Sequence, residues 1–142
     1  MNLIQVIRRS PPVTTPEATL TRAARLMAAE RAPLLPVVAQ GRLVGTLSAL
    51  DLVARTLGAG LDAERCTVRG VMRADAPACH PQDSLDSVCE QMHALKLAVL
   101  PVVDAGAALV GLVDLFDVEQ ARAVRVAAGP EPDMVRRVRG ES

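Results

Sequence analysis

Two seven-residue segments place chemistry-bearing side chains at the same spacing. One is Gly45-Thr46-Leu47-Ser48-Ala49-Leu50-Asp51, the other Gly111-Leu112-Val113-Asp114-Leu115-Phe116-Asp117. A carboxylate such as Asp51 or Asp117 can accept hydrogen bonds from two neighbouring hydroxyls, and a hydroxyl such as Ser48 can donate to an anion. A helix starting at Ser48 adds free N–H groups, which favour an anion. Ser48-Ala49-Leu50-Asp51 has equally the form of an N-cap box, with Asp in place of the usual Glu, and Asp114 is a good N-cap. The two roles are compatible, since capping residues line the mouth into which a ligand would dock. Arg8, Arg9 and Arg73 could reach phosphates and read equally as solvated surface charges.

The rest of the inventory is thin. Cys79 adjoins His80, and Cys89 precedes His93 by one helical turn, a spacing open to metal ligands. His80 comes before Pro81 and reads as a loop residue. Only two histidines exist in the chain. No Walker A loop, G-x-S-x-G, C-x-x-C or ordered Ser, His and Asp set occurs, so an enzyme is not expected.

An internal repeat organises the elements. Val6, Arg8, Pro12, Pro16, Leu20 and Met27 recur as Val71, Arg73, Pro77, Pro81, Leu85 and Met92. Leu35-Pro36-Val37-Val38 recurs as Leu100-Pro101-Val102-Val103. One residue is then inserted, and Leu43-Val44-Gly45 and Asp51 recur as Leu109-Val110-Gly111 and Asp117. The identities fall on Pro, Gly and core-type apolar positions, which fix backbone and volume, so the halves share one fold. In this alignment Cys89 takes the place of Ala24 and Cys79 that of Thr14. Both thiols then read as small core residues, with no metal expected.

The repeats span 1–57 and 68–127, joined by a turn-rich linker at 58–67 and followed by a solvated, flexible tail at 128–142 that contains Arg136-Arg137-Val138-Arg139. Leu20, Ala23, Ala24 and Met27 mark one face of a helix capped by Thr19; Leu85, Val88, Cys89 and Met92 mark another, capped by Ser84. Short apolar strands follow at 34–38 and 42–47, then 99–103 and 109–113, and a second helix near 49–57 and 115–126. Short extended pieces at Val13-Thr14 and Ala78-Cys79 precede the first helices. A 60-residue unit buries only about 60% of its unfolded surface. Two copies are therefore expected to pack about a pseudo-two-fold axis in one α/β (α+β) unit.

Composition narrows the function. Half of the 142 residues are apolar, but aromatics amount to a single Phe. Sixteen basic residues balance sixteen acidic ones, so no net positive field draws the chain to nucleic acid or anionic membrane. No uncharged stretch approaches the roughly 18 residues of a membrane span. The basic residues near the start follow the apolar ones, the wrong order for a signal peptide. Three cysteines without C-x-x-C spacing point to free thiols in a reducing cytoplasm.

The element order, the Pro-Val-Val strands and the Gly-to-Asp segments resemble the cystathionine-β-synthase (CBS) domain. Two in tandem, up to about residue 127, resemble a CBS pair or Bateman module with β-α-β-β-α repeats. The resemblance implies a regulatory module that binds an adenosine-containing ligand (AMP, ADP, ATP or S-adenosylmethionine) between the repeats. It implies that Asp51 takes the ribose hydroxyls, that Ser48 donates to a phosphate, and that the base lies against Val13-Thr14 and Pro36-Val37. Asp117 keeps the ribose position of a weaker second site. There Asp114 replaces the hydroxyl, and two unit charges 4 Å apart repel by roughly 4 kcal/mol at an effective dielectric of 20. The resemblance also implies a homodimer, for which Leu57, Val124 and Val126 offer apolar surface. An effector protein would receive the signal. A dimerisation or protein-interaction module without a nucleotide ligand stays open beside this reading, as does, more distantly, a redox or metal sensor using Cys79 and Cys89.

Overall fold

A computed structural model describes residues 2–127, so the tail expected at 128–142 lies outside the described residues. Asn2 caps a short helix α1 (Leu3–Val6), which runs into a two-residue strand β1 (Arg8–Arg9). Then come α2 (Leu20–Glu30), β2 (Leu34–Ala39), β3 (Arg42–Ser48) and α3 (Ala49–Val53), which continues as a π turn over Ala54–Gly58. A 3-10 turn at Val68–Gly70 leads to α4 (Leu85–Leu95), β4 (Val99–Val103), β5 (Leu109–Asp114) and α5 (Leu115–Ala127). No helix among the described residues is long and apolar enough to cross a membrane.

Local chemistry accounts for the elements. The Thr19 hydroxyl accepts from the Arg22 N–H at 3.1 Å, and the Ser84 hydroxyl accepts from the Ser87 N–H at 3.0 Å. Each cap satisfies a donor that the first helical turn leaves free. The β2–β3 turn uses Gln40 and Gly41, both at positive φ (54° and 76°), as a two-residue hairpin requires. Its counterpart between β4 and β5 is longer. There the Asp104 carboxylate accepts from the N–H groups of Gly106 and Ala108, and Ala107 takes φ 67°. That longer loop is the one-residue insertion in the repeat. Each hairpin carries a bulge at the same place, between Val37 and Val38 and between Val102 and Val103. The extended pieces before the first helices are single parallel bridges, Thr14 to Val37 and Cys79 to Val102.

The two repeats exchange their first segments. β1 pairs antiparallel with β5, placing Arg8 opposite Leu112 and Arg9 opposite Gly111. Reciprocally, the Arg73 segment pairs with Thr46 of β3, N–H to carbonyl in both directions at 3.0 and 2.8 Å. Leu3 lies in the second core with Leu100, Val102, Val113 and Val118. Val68 and Val71 lie in the first, with Leu20, Leu35, Val37 and Leu47. The crossing explains the repeated glycines. A Cβ on Gly45 would stand 2.7 Å from the Arg73 carbonyl oxygen, and one on Gly111 would collide with the Arg8 carbonyl. The result is an α+β pair of β-α-β-β-α repeats related by a pseudo-two-fold axis.

Pseudo-symmetry breaks at the second helices. In repeat one the α-helix proper ends at Val53; in repeat two α5 runs thirteen residues along α4. Asp86 of α4 binds both Arg122 (2.9 Å) and Arg125 (2.7 Å) of α5, and these two guanidinium groups hold its carboxyl below the usual range. Cys89 is therefore buried under α5, whereas Ala24, expected on the buried face by the repeat, is exposed.

Candidate functional site

The exchange creates two clefts between the repeats. The first is a cavity of about 410 Å³, within the range of about 300–1,000 Å³ common for small-molecule sites. The end of β3 and the start of α3 supply Thr46, Ser48 and Asp51 to it. Repeat two supplies Pro77, Val99 and Pro101 as an apolar wall, and Arg73 and Lys96 as cations. The local reason is the strand-to-helix turn. Ser48 sits at the N-cap of α3, where its Oγ accepts from the Asp51 N–H at 3.0 Å. That bond uses a lone pair and leaves the Ser48 O–H able to donate. Among the described residues the Asp51 carboxylate has no hydrogen-bond partner.

Nothing in the sequence around Lys96 marks it for this cleft. It terminates α4 in the left-handed region, φ 56° and ψ 44°. That conformation costs a non-glycine residue about 1–2 kcal/mol and is a common way for a helix to end, here with the Lys96 N–H donating to the His93 carbonyl. Its counterpart Arg31 ends α2 the same way, at φ 52°.

The second cleft, about 310 Å³, is the pseudo-symmetric partner. It brings Asp114 and Glu30 together with Arg8, Arg9 and Arg31, so three cations offset the two carboxylates. Asp117 lines a different cavity, on the α5 side of Arg8. There it binds the Arg8 Nε at 2.9 Å, and the pair, with a smaller contribution from Asp114, holds the guanidinium charged. Asp51 has no such lock, although Arg73 is the repeat counterpart of Arg8. The difference between the clefts thus lies in the pairing of Asp117 as well as in the charge of Asp114.

Of the residues expected to act together, the structure unites Ser48 and Asp51 in one cavity. Val13 and Thr14 line another, about 690 Å³, with Arg22 and Arg25. Pro36 and Val37 are buried in β2, Val37 completely. They stand apart from Asp51 because segment exchange makes repeat two the opposite wall of that cleft. The residues facing Asp51 there are Pro77 and Pro101, the repeat equivalents of Pro12 and Pro36. Cys79 is buried, and loss of hydration, aided by Asp83, pushes its thiol up to about 12. Such a thiol is inert at neutral pH.

Comparison with known proteins agrees with this architecture. The CBS domain family matches residues 3–58 and again 68–123. The CBS domain-containing protein YhcV of Bacillus subtilis is 33% identical over 115 residues, covering 81% of each chain. Three further curated relatives are longer, and the chain spans 14%, 44% and 22% of their lengths. Among solved structures, the CBS-pair protein CBSX2 of Arabidopsis thaliana superposes with a TM-score of 0.77 at 21% identity, over 91% of this chain and 98% of that one. The CBS domain pair of protein MJ0100, in complex with 5′-methylthioadenosine and S-adenosyl-L-methionine, gives 0.74 at 23% identity, over 88% and 98%. Twice-matched family, exchanged segments and paired clefts agree: the chain belongs to the CBS-domain family and carries the domain as a tandem pair.

Proposed function

We propose that this CBS pair is a regulatory sensor that takes one adenosine-containing ligand in the cleft of Ser48 and Asp51. The observation that carries the reading is the Asp51 carboxylate, unpaired among the described residues, in a cavity walled on its far side by repeat two. Asp51 accepts from the two ribose hydroxyls. Ser48 donates to a phosphate or equivalent polar group, with Lys96 and Arg73 as countercharges. Pro77, Val99 and Pro101 hold the base by apolar burial and dispersion, since no aromatic ring among the described residues lines this cavity. The ligands of the MJ0100 pair, both built on adenosine, support this class. AMP, ADP, ATP and S-adenosylmethionine are the candidates. The second cleft stays unused by nucleotides, because Arg8 occupies the carboxylate that would take the ribose.

In this reading ligand binding is passed on to an effector protein. A ligand touching both repeats alters their packing only through different affinity for two arrangements.

The test is a thermal-shift panel of AMP, ADP, ATP, S-adenosylmethionine, NAD and GTP, followed by calorimetry. A ligand at 100 times its Kd stabilises by about 2.7 kcal/mol, which raises Tm by several degrees at this size. One adenosine ligand per chain is expected. Asp51→Ala abolishes the shift without lowering the Tm of the free protein by more than a degree or so. Asp117→Ala leaves the stoichiometry at one. An Asp51→Ala variant that binds as tightly as the wild type overturns the assignment.

A second reading rests on a separate observation. Leu50, Val53 and Leu57 on the α3 segment, with Phe116, Val124 and Val126 on α5, are exposed apolar residues, Leu57 by 79%. Such a surface fits a symmetric homodimer or an assembly module. Light scattering with and without the panel separates the readings: a dimer indifferent to every nucleotide favours assembly alone.

A further inference from the structure

The geometry points to a divalent transition-metal site, of the zinc type, on the outer face of repeat two, with Cys89, His93 and Glu119 as its three protein ligands. Cys89 and His93 lie one turn apart on α4, and α5 brings Glu119 against them. One ligand atom from each of the three lies within 4.8 Å of the other two. Tetrahedral bonds of about 2.0–2.3 Å set ligand atoms roughly 3.3–3.7 Å apart, so rotamer changes of an ångström or so close the site. The His93 Nε2 already faces Glu119 Oε1 at 2.6 Å. Thiolate, imidazole and carboxylate are the ligand types that zinc takes.

Two further observations distinguish this cluster from a chance meeting of polar groups. The first is its restriction to repeat two. The equivalent positions in repeat one are Ala24, Ala28 and Val53, none of which can ligate. The second is the contact of the sulfur with α5. Arg122 Nη1 stands 3.1 Å from Cys89 Sγ, while its Nε donates to Asp86 at 2.9 Å. The contact keeps the sulfur directed at α5, the helix that carries Glu119. When the metal arrives, Asp86 retains the guanidinium and the sulfur turns to the metal.

Charge and protons balance. Binding forms three metal–ligand bonds, breaks the His93–Glu119 hydrogen bond with its proton moving to the far ring nitrogen of a neutral His93, releases the Cys89 thiol proton to solvent, and transfers no electrons. The 2+ ion then faces one thiolate and one carboxylate, leaving the site neutral. Three protein ligands leave a fourth position for water, because no other His, Cys, Asp or Glu among the described residues joins the group. The site would clamp α4 to α5.

The experiment uses the full chain after treatment with a chelator, titrated with Co²⁺ and then Zn²⁺. One equivalent of Co²⁺ should produce a thiolate-to-cobalt charge-transfer band, which Zn²⁺ abolishes by displacement. The band should survive in Cys66→Ser and vanish in Cys89→Ala, the latter carrying the residue that repeat one has there. His93→Gln and Glu119→Gln, both at exposed side chains that should leave folding intact, each weaken Co²⁺ binding by about tenfold or more, since even outer-shell partners of a metal are worth that much. Absence of a thiolate band in the folded wild type overturns the proposal. So does a band that persists in Cys89→Ala, or binding unchanged in both His93→Gln and Glu119→Gln.

Discussion

At the scale of single residues, side chains of one type meet different fates. Asp51 faces a cleft while Asp117 is held by Arg8. Cys79 is sealed in the core while Cys89 touches a guanidinium. Lys96 is the residue where stability and binding oppose each other. Its backbone is left-handed, which glycine adopts without the Cβ penalty. Lys96→Gly should therefore stabilise the free protein by about 0.5–1 kcal/mol, visible as a raised midpoint in urea. The same variant should weaken a phosphate-bearing nucleotide in calorimetry while leaving a nucleoside's affinity nearly unchanged. Equal loss for both ligands would remove Lys96 from phosphate recognition.

At the scale of elements, the glycine in each hairpin is a crossing point for a strand of the other repeat. Gly45→Ala places a methyl 2.7 Å from the Arg73 carbonyl oxygen, and backbone cannot swing aside as a side chain can. Overpacking of this kind costs about 1–3 kcal/mol. Gly58→Ala, with nothing within 4 Å, should be neutral or slightly stabilising, and chemical denaturation of the pair tests the contrast. The sequence made the regular parts of this architecture legible. Helix spacing, Thr19 and Ser84 caps and β-branched runs located α2, α4 and the four hairpin strands to within a residue or two. It did not reveal β1, because Arg8-Arg9 has no apolar alternation and pairs only through backbone. The same gap hid the composition of the cleft. Ser48 and Asp51 were readable as a local motif, but their apolar wall depends on a crossing that spacing does not encode. Cys89 and His93 were visible as a pair, whereas Glu119 joins them only through the docking of α5.

At the scale of the whole molecule, each core is completed by residues numbered in the other repeat. Leu3 is fully buried among residues of repeat two. Leu3→Ala should cost roughly 2–4 kcal/mol, and the damage should appear far away in sequence. Amide exchange is expected to quicken in β4 and β5 while β2 and β3 keep their protection. Equal loss in both sheets would mean that the cores open as one unit. The exchanged strands also bear on how the chain is made. β1 leaves the ribosome long before its partner Leu112 exists, a wait on the order of 5–20 s at usual elongation rates. During that interval Leu3, Val6 and Ile7 have no core of their own to enter. The first repeat, for its part, lacks Val68 and Val71 until the linker has emerged. Synthesis order and assembly order are therefore inverted within the pair: of its elements the one made first docks last, and until then the nascent chain carries bare apolar side chains that chaperones are suited to shield.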